Sequence, residues 1–290
     1  MAEIRSSGTW GSALSADEFA AIRSVGFEPV GQVFGAAVYS AGSTSEYRCP
    51  GTQGSPGDGL PPRPATQVSG PGGPGSFGPL VQTMDLARHT AVGRMISECT
   101  ELGGHGVVGV RLSRESFPLG APQFTALGTA IRVPHAPHGQ AVPFTGEVSG
   151  QDFAKLMTAG WTPAGLVLGI SIGSRHDDRK TARQARWGSG NAEVAGWTEL
   201  VSQSRHDARQ QLERQVRQLG AEGVVIAAME MAVRERDCPE TVGRRDHIVE
   251  ATLIGTAVAS FSRAGRRHHG PALAIMSLDP QRRQAARVQI

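Results

Sequence analysis

The chain carries one sequence pattern twice, and this repeat constrains the fold more than any other feature. Residues 15–38 correspond to residues 149–172 at a constant offset of 134, with no gap. Residues 88–108 recur at an offset of 117, and Gly128-Thr129-Ala130 recurs as Gly255-Thr256-Ala257 at an offset of 127. Because the order of the blocks is kept while the offsets change, the two copies differ by loop insertions. The sequence therefore predicts two tandem domains built on one plan.

Each copy is predicted to contain a helix, a strand, a long helix and two further strands. Ser15 with Glu18 three residues later is a capping-box pattern, and Gly26 and Gly160 follow the first helices where a left-handed cap would end them. Apolar residues alternate from Ala164 to Ile172, as in a pleated strand. The long helices repeat apolar residues along one face, at Ala91, Met95, Cys99 and Leu102 and at Ala208, Leu212, Val216 and Leu219. The fold class expected is α+β, a small antiparallel sheet covered by helices in each copy.

The repeat also sets the domain boundaries. The first repeat is expected over residues 9–133, a linker over 134–142, the second repeat over 143–261 and a basic flexible tail over 262–290. Within the first repeat, residues 40–79 hold ten glycines and eight prolines, a composition that disfavours a packed core. We expect a disordered surface loop at 40–79, and a short docking segment within the tail at 271–278.

Charge and cysteine content exclude several classes of protein. The net charge is +3, but six arginines and one acidic residue fall in residues 262–290, which leaves the rest of the chain at −2. A body so close to neutral has no electrostatic footprint for nucleic acid. Three scattered cysteines indicate a reducing compartment. There is no run of 18 apolar residues and no apolar segment at the start, so we expect a cytoplasmic chain without a membrane span.

Three ordered motifs resemble the YbjQ-like family of heavy-metal-binding domains. They are the long helix ending at Leu102-Gly103, the strand Gly106-Val107-Val108-Gly109-Val110 and the strand Gly128-Thr129-Ala130-Ile131. The resemblance implies a dodecin-like α+β fold that assembles into rings, commonly pentamers, and it implies little about chemistry. Two domains per chain would let five chains form two stacked five-membered rings. Arg88 and Arg205 stand at the family's Ala-Arg position, and we assign them a ligand or assembly role.

Metal binding is the first chemistry to consider, since structural zinc sites use converging Cys and His ligands. Cys49, Cys99 and Cys238 form no close-spaced pair, and Cys99 aligns with the apolar Val216. His135 and His138 have ligand-like spacing without a third partner. His89 and His206 occupy the same helical position in both copies, so in a ring they could converge on a divalent metal ion. No other cofactor is indicated.

An enzymatic alternative rests on one motif. Gly169-Ile170-Ser171-Ile172-Gly173 matches the GxSxG nucleophile pattern, and Asp246 and His247 follow it. That motif requires a sharp strand-to-helix turn, whereas Ser171 falls within a predicted strand. The expected function is therefore a non-enzymatic, self-assembling homo-oligomer. A metal-sequestering or metal-sensing module is the alternative, and an esterase-like hydrolase using Ser171 is a more distant one.

Overall fold

A computed structural model describes residues 11–39, 66–71, 77–116, 122–136, 142–186, 190–238 and 243–261, together with the backbone of 273–276. The first half contains α1 (Ala16–Ser24), β1 (Glu28–Val38), β2 (Thr66–Ser69), α2 (Gly78–Glu101), β3 (Gly106–Ser116) and β4 (Pro122–Arg132). After β5 (Phe144–Thr145), the second half contains α3 (Gly150–Thr158), β6 (Trp161–His176), α4 (Arg179–Gln184), α5 (Ala195–Gln218), β7 (Gly223–Asp237) and β8 (Arg245–Ser260), followed by β9 (Leu273–Met276). Both halves thus contain the order helix, strand, long helix, strand, strand.

The strands form two sheets. Sheet A has the order β1-β4-β3-β5, and sheet B has the order β2-β6-β8-β7-β9. The central pairs are antiparallel, while β5 runs parallel to β3 and β9 runs parallel to β7. Gly106 pairs with Phe144, and its counterpart Gly223 pairs with Leu273. The two parallel edge strands therefore occupy the same place in the two sheets.

The ends of the short helices follow the predicted signals. The Ser15 hydroxyl accepts the backbone N–H of Glu18, and the Glu18 carboxylate accepts the backbone N–H of Ser15, which completes the capping box. The Ser149 hydroxyl accepts the backbone N–H of Asp152 in the same way. Gly26 and Gly160 both have a φ of 84°, the left-handed conformation that ends a helix at low cost for glycine.

Two repeated glycines mark where the long helices touch the sheets. A Cβ atom on Gly35 would overlap the carbonyl oxygen of Ala91, and one on Gly169 would overlap that of Ala208. No side chain fits between helix and strand at these points. We call the side of each sheet that bears its long helix the helix face, and the opposite side the outer face.

Side chains of the long helices also cover the open edges of β1 and β6. Gln215 bonds the backbone N–H and C=O of Leu168, and Gln211 bonds those of Ile170. In the first half the Glu98 carboxylate accepts the N–H of Phe34 at 2.7 Å, and Arg94 donates to the carbonyl of Ala36. Exposed strand edges are templates for unwanted pairing, so both halves block this edge with helix side chains.

Apolar side chains from both halves share two buried clusters. One joins Val33 and Met95 of the first half to Ile170 and Ile172 of β6. Another joins α1 and β4 to Phe153 and Val258, while a third lies within the second half, around α5 and sheet B. The two halves therefore pack directly on each other. Among the described residues, no helix is long and apolar enough to cross a membrane.

The structure differs from the sequence prediction in the segment 40–79. Thr66–Ser69, within the segment 40–79 that we expected to be disordered, forms β2 and pairs with Ile172 to Arg175 of β6. Apolar periodicity is too short there to signal a strand, and the strand exists because sheet B offers it an edge. Residues 273–276 lie within the docking segment proposed for the tail, and they form β9, which pairs with β7. Residues 70–71 and 77–79 of the segment are also described, and α2 begins at Gly78. Residues 40–65, residues 72–76 and the remainder of the tail lie outside the described part of the chain.

Candidate functional site

Arg88 lies in the cleft between the two halves. Its side chain is buried, and its guanidinium carbon stands 5.6 Å from the centre of the Phe124 ring, a distance at which a cation is attracted to the ring face. Burial lowers the pKa of Arg88, and the nearby Glu250 carboxylate opposes that change. Its Nη1 has no hydrogen-bond partner among the residues that the structure describes.

This cleft contains two cavities of about 520 and 450 Å³. The larger is bounded by Arg88 and Arg114 on the first half and by Glu230 and Glu250 on the second. Arg114 donates to Glu250 at 2.7 Å, which joins β3 to β8. Two arginines and two glutamates give walls of balanced charge. The cleft is therefore an ion-paired seam between the halves and lacks the excess positive charge of an anion site.

Arg205 does not share the environment of Arg88. It is exposed on α5, although it occupies the same repeat position. Within one chain only Arg88 has the other half packed beside it, and the common ligand or assembly role of the two arginines stays a prediction.

The two repeated histidines are exposed on the long helices. His89 Nδ1 lies 2.9 Å from the carbonyl oxygen of Asp85, and His206 Nε2 lies 2.9 Å from the side-chain amide of Gln210. Within the described parts of the chain, neither histidine belongs to a group of three close metal-ligand atoms. Their convergence in an assembly stays a prediction. His135 is exposed with a φ of 63°, and His138 lies outside the described residues.

Ser171 stands in the middle of β6, as the sequence predicted. It is fully buried on the helix face, opposite Ala251, while His247 pairs with Arg175. Four residues along a strand span about 13 Å, so Ser171 and His247 are too far apart for proton transfer. His247 instead contacts the carboxylates of Asp177 at 3.2 Å and Glu235 at 2.9 Å.

Cys99 is a core residue, as its alignment with Val216 suggested. It lies on α2 and is fully buried. Burial raises the pKa of its thiol to about 12, so the thiolate needed for metal binding or nucleophilic attack does not form near neutral pH.

A network of charged side chains lies at the end of sheet B where β6 ends and β8 begins. Burial alone would lower the pKa of His247, but the bonds to Asp177 and Glu235 outweigh it and raise that pKa. Burial tends to raise the pKa of Asp177, and hydrogen bonds from His247 and Trp197 lower it overall. The buried Arg175 bonds Glu199 at 2.8 Å. These contacts tie β6, β7, β8 and α5 together.

Beside this network, one group of side chains has the composition of a metal site. One ligand atom from each of His176, Cys238 and Asp246 lies within 4.8 Å of the other two. His176 and Asp246 are cross-strand partners, and Cys238 directly follows β7. Sequence reasoning missed the group because His176 lies 62 residues before Cys238 and 70 residues before Asp246. Only the register of β6 with β8 would have revealed it.

Comparison with known proteins gives two kinds of match. The family model described as "Putative heavy-metal-binding" matches residues 72–134. Encapsulin nanocompartment protein Rv1762c of Mycobacterium tuberculosis is 32% identical over 224 residues, covering 74% of this chain and 75% of that protein. A UPF0145 protein of Clostridium perfringens is 35% identical over 57 residues, and one of Thermosipho africanus is 37% identical over 59. These last matches cover 20% of this chain and 54% and 55% of the respective relatives.

Proposed function

Because the chain belongs to the same family as encapsulin nanocompartment protein Rv1762c, we propose that it is a non-enzymatic, self-assembling protein of a cytoplasmic compartment. We further propose that its halves are two tandem dodecin-like domains and that they assemble head to tail. The contact between the halves of one chain would then repeat between chains. The observation that carries this proposal is an apolar face that is buried in the second half and exposed in the first.

The face in question is the outer face of the first strand of each half. On β6, Leu168 and Ile172 are 2% and 4% exposed, because this face of sheet B packs against the first half. Their counterparts on β1 are Phe34 and Val38, which are 45% and 46% exposed. Burying apolar area is the main driving force of protein association. The outer face of β1 around Phe34 and Val38 is thus an apolar surface that a neighbouring chain can cover.

The receiving surface lies on the helix face of the third strand of the repeat. In the first half Leu112 on β3 is partly buried in the cluster that receives Ile170 and Ile172. Its counterpart on β7 is Met229, which is 42% exposed, and Val233 on the same face is 59% exposed. Arg205 is exposed for the same reason, since no further half packs on α5.

We call the outer face of β1 the donor face and the helix face of β7 the receiving face. Both are uncovered, and contact between the donor face of one chain and the receiving face of the next is heterologous. Such a contact closes into a ring or continues as a filament. We propose a closed ring, either a pentamer-type ring or stacked rings. Since each chain brings two domains, every ring made of whole chains contains an even number of domains. A pentamer of whole chains, with ten domains in one ring, satisfies this condition. In two stacked five-membered rings each chain would instead place one domain in each ring, and the contact between its halves would join the two rings.

Mixing two blocked variants tests the head-to-tail contact. Phe34→Glu disables the donor face and leaves the β7 face intact, while Met229→Glu does the reverse. Each variant alone should be monomeric, and their equimolar mixture should form a one-to-one dimer in sedimentation velocity. Leu86→Glu, at an exposed position on α2 that lines neither cavity, is the control and should assemble like the wild type. A mixture that stays monomeric would contradict the proposal.

Metal sequestration or sensing is the second candidate function, favoured by the exposure of both repeated histidines. In an assembled ring, His89 and His206 of neighbouring chains would supply imidazole ligands to a divalent ion. Elemental analysis of the purified assembly, compared with the His89→Ala/His206→Ala double variant, tests this idea. Absence of stoichiometric metal in the wild type would end it.

A further inference from the structure

We infer that His176, Cys238 and Asp246 form a binding site for a zinc-type divalent cation within a single chain. This inference is independent of the proposed assembly and of the repeated histidines. The ligands lie at the ends of three adjacent strands of sheet B, in the order β6, β8 and β7. His176 is the last residue of β6, Asp246 is the second residue of β8, and Cys238 directly follows β7.

Backbone pairing holds the three residues in place. His176 pairs with Asp246 across β6 and β8, and the backbone N–H of Cys238 donates to the carbonyl of Arg244 at 2.9 Å. A site on paired strands is held more rigidly than one on loops. The ligand group therefore exists before a metal arrives, at little further cost in conformational entropy.

The distances suit a small tetrahedral ion. Zinc ligands at 2.0–2.3 Å from the metal lie roughly 3.3–3.7 Å from one another. The three ligand atoms lie within 4.8 Å of each other, and His176 Nδ1 is 2.8 Å from Asp246 Oδ1. Shifts of about 1 Å or less would bring all three into coordination. Coordination through Nδ1 requires the single proton of the neutral imidazole to stand on Nε2, so the ion would take the place of the hydrogen bond between His176 Nδ1 and Asp246 Oδ1.

The charges and the donor types select the class of ion. Asp246 is fully buried and Cys238 is 7% exposed. On binding, the thiol proton passes to solvent, and the thiolate and carboxylate together neutralise a divalent ion. One sulfur, one nitrogen and one oxygen donor favour zinc or cobalt over magnesium or calcium. Three protein ligands leave a fourth position for water.

The site belongs to the second half alone. At the repeat offsets, His176 corresponds to Gly42 and Asp246 corresponds to Leu119, neither of which can bind a metal through its side chain. Arg236 pairs with Asp246 across β7 and β8 and adds a positive charge nearby. That charge lowers the affinity of the site for a cation, so removing it should strengthen binding and provides a second test of the site.

Cobalt titration of the full-length chain, stripped of metal by EDTA, tests the site. We expect one cobalt ion per chain, with tetrahedral visible bands and a thiolate-to-cobalt charge-transfer band in the near ultraviolet. Cys238→Ser should abolish the charge-transfer band, and Arg236→Gln should tighten binding several-fold. His89→Ala/His206→Ala and the monomeric Phe34→Glu variant should bind cobalt like the wild type.

Three results would overturn the inference: no charge-transfer band in the wild type, a band that persists in Cys238→Ser, or a band lost in the His89/His206 double variant. If Cys238→Ser fails to fold, alkylation of the wild-type protein decides the question. Zinc should protect Cys238 from iodoacetamide, as read by peptide mass spectrometry, and equal labelling with and without zinc would refute the site. Because Phe34→Glu does not affect these ligands, failure of the site and failure of assembly give different results.

Discussion

Truncating Phe34 should weaken assembly without destabilising the folded chain. Phe34 is 45% exposed on the outer face of β1. A phenylalanine presents roughly 200 Å², so about 90 Å² is left to be buried by a neighbouring chain. At about 25 cal/mol per Å² this area contributes about 2 kcal/mol per contact. Phe34→Ala should therefore raise the dissociation constant of the contact roughly 30-fold.

Sedimentation velocity across a dilution series measures this change, and a thermal melt of the same samples checks the fold. Leu86→Ala removes a side chain that is 54% exposed on α2, so it controls for the loss of exposed apolar area in general. Its dissociation profile should match the wild type. Equal profiles for Phe34→Ala and the wild type, or equal weakening by both variants, would refute the assignment of the outer face of β1 as a contact.

Further predictions concern packing, the sheet edge and cysteine reactivity. Gly35→Ala would force a Cβ into the carbonyl of Ala91 and should destabilise the folded chain by about 1–3 kcal/mol. Gly93→Ala, on the open surface of α2, should stabilise the folded chain by up to about 1 kcal/mol. Melting temperatures that shift in the same direction in both variants would contradict this prediction. Deleting residues 262–290 removes β9 and uncovers the edge of β7. Because an uncovered strand edge pairs with other chains, light scattering should show larger or faster-growing particles. Unchanged particle size would argue against a role of β9 in capping that edge. Cys99, with a pKa of about 12, should resist iodoacetamide in the native state and react only on unfolding; rapid native labelling would show that it is not buried.

The repeat predicted the elements of this fold well because its signals are local. The capping box at Ser15, the left-handed glycines at 26 and 160 and the alternation along β6 depend on neighbouring residues only. Glycine recurs at positions 35 and 169 for one physical reason, which is that the long helix approaches the strand too closely there for a side chain. β2 could not be predicted, because its pairing with β6 depends on a sheet edge contributed by the other half of the chain.

The site residues were harder to predict because their environment is set by packing between the halves. Arg88 and Arg205 are identical in the repeat, yet one is buried against Phe124 and the other is exposed. The difference arises from which half has a neighbour, and no sequence pattern records that. The ligands at His176 and Asp246 are likewise 70 residues apart and meet only through the register of β6 with β8.

The mass of the wild-type particle tests head-to-tail assembly most directly. Light scattering coupled to size exclusion should give a whole-number multiple of the 30.5 kDa chain, with the same mass across a wide range of protein concentration, as a closed ring requires. A particle of one chain mass at every concentration would contradict the account.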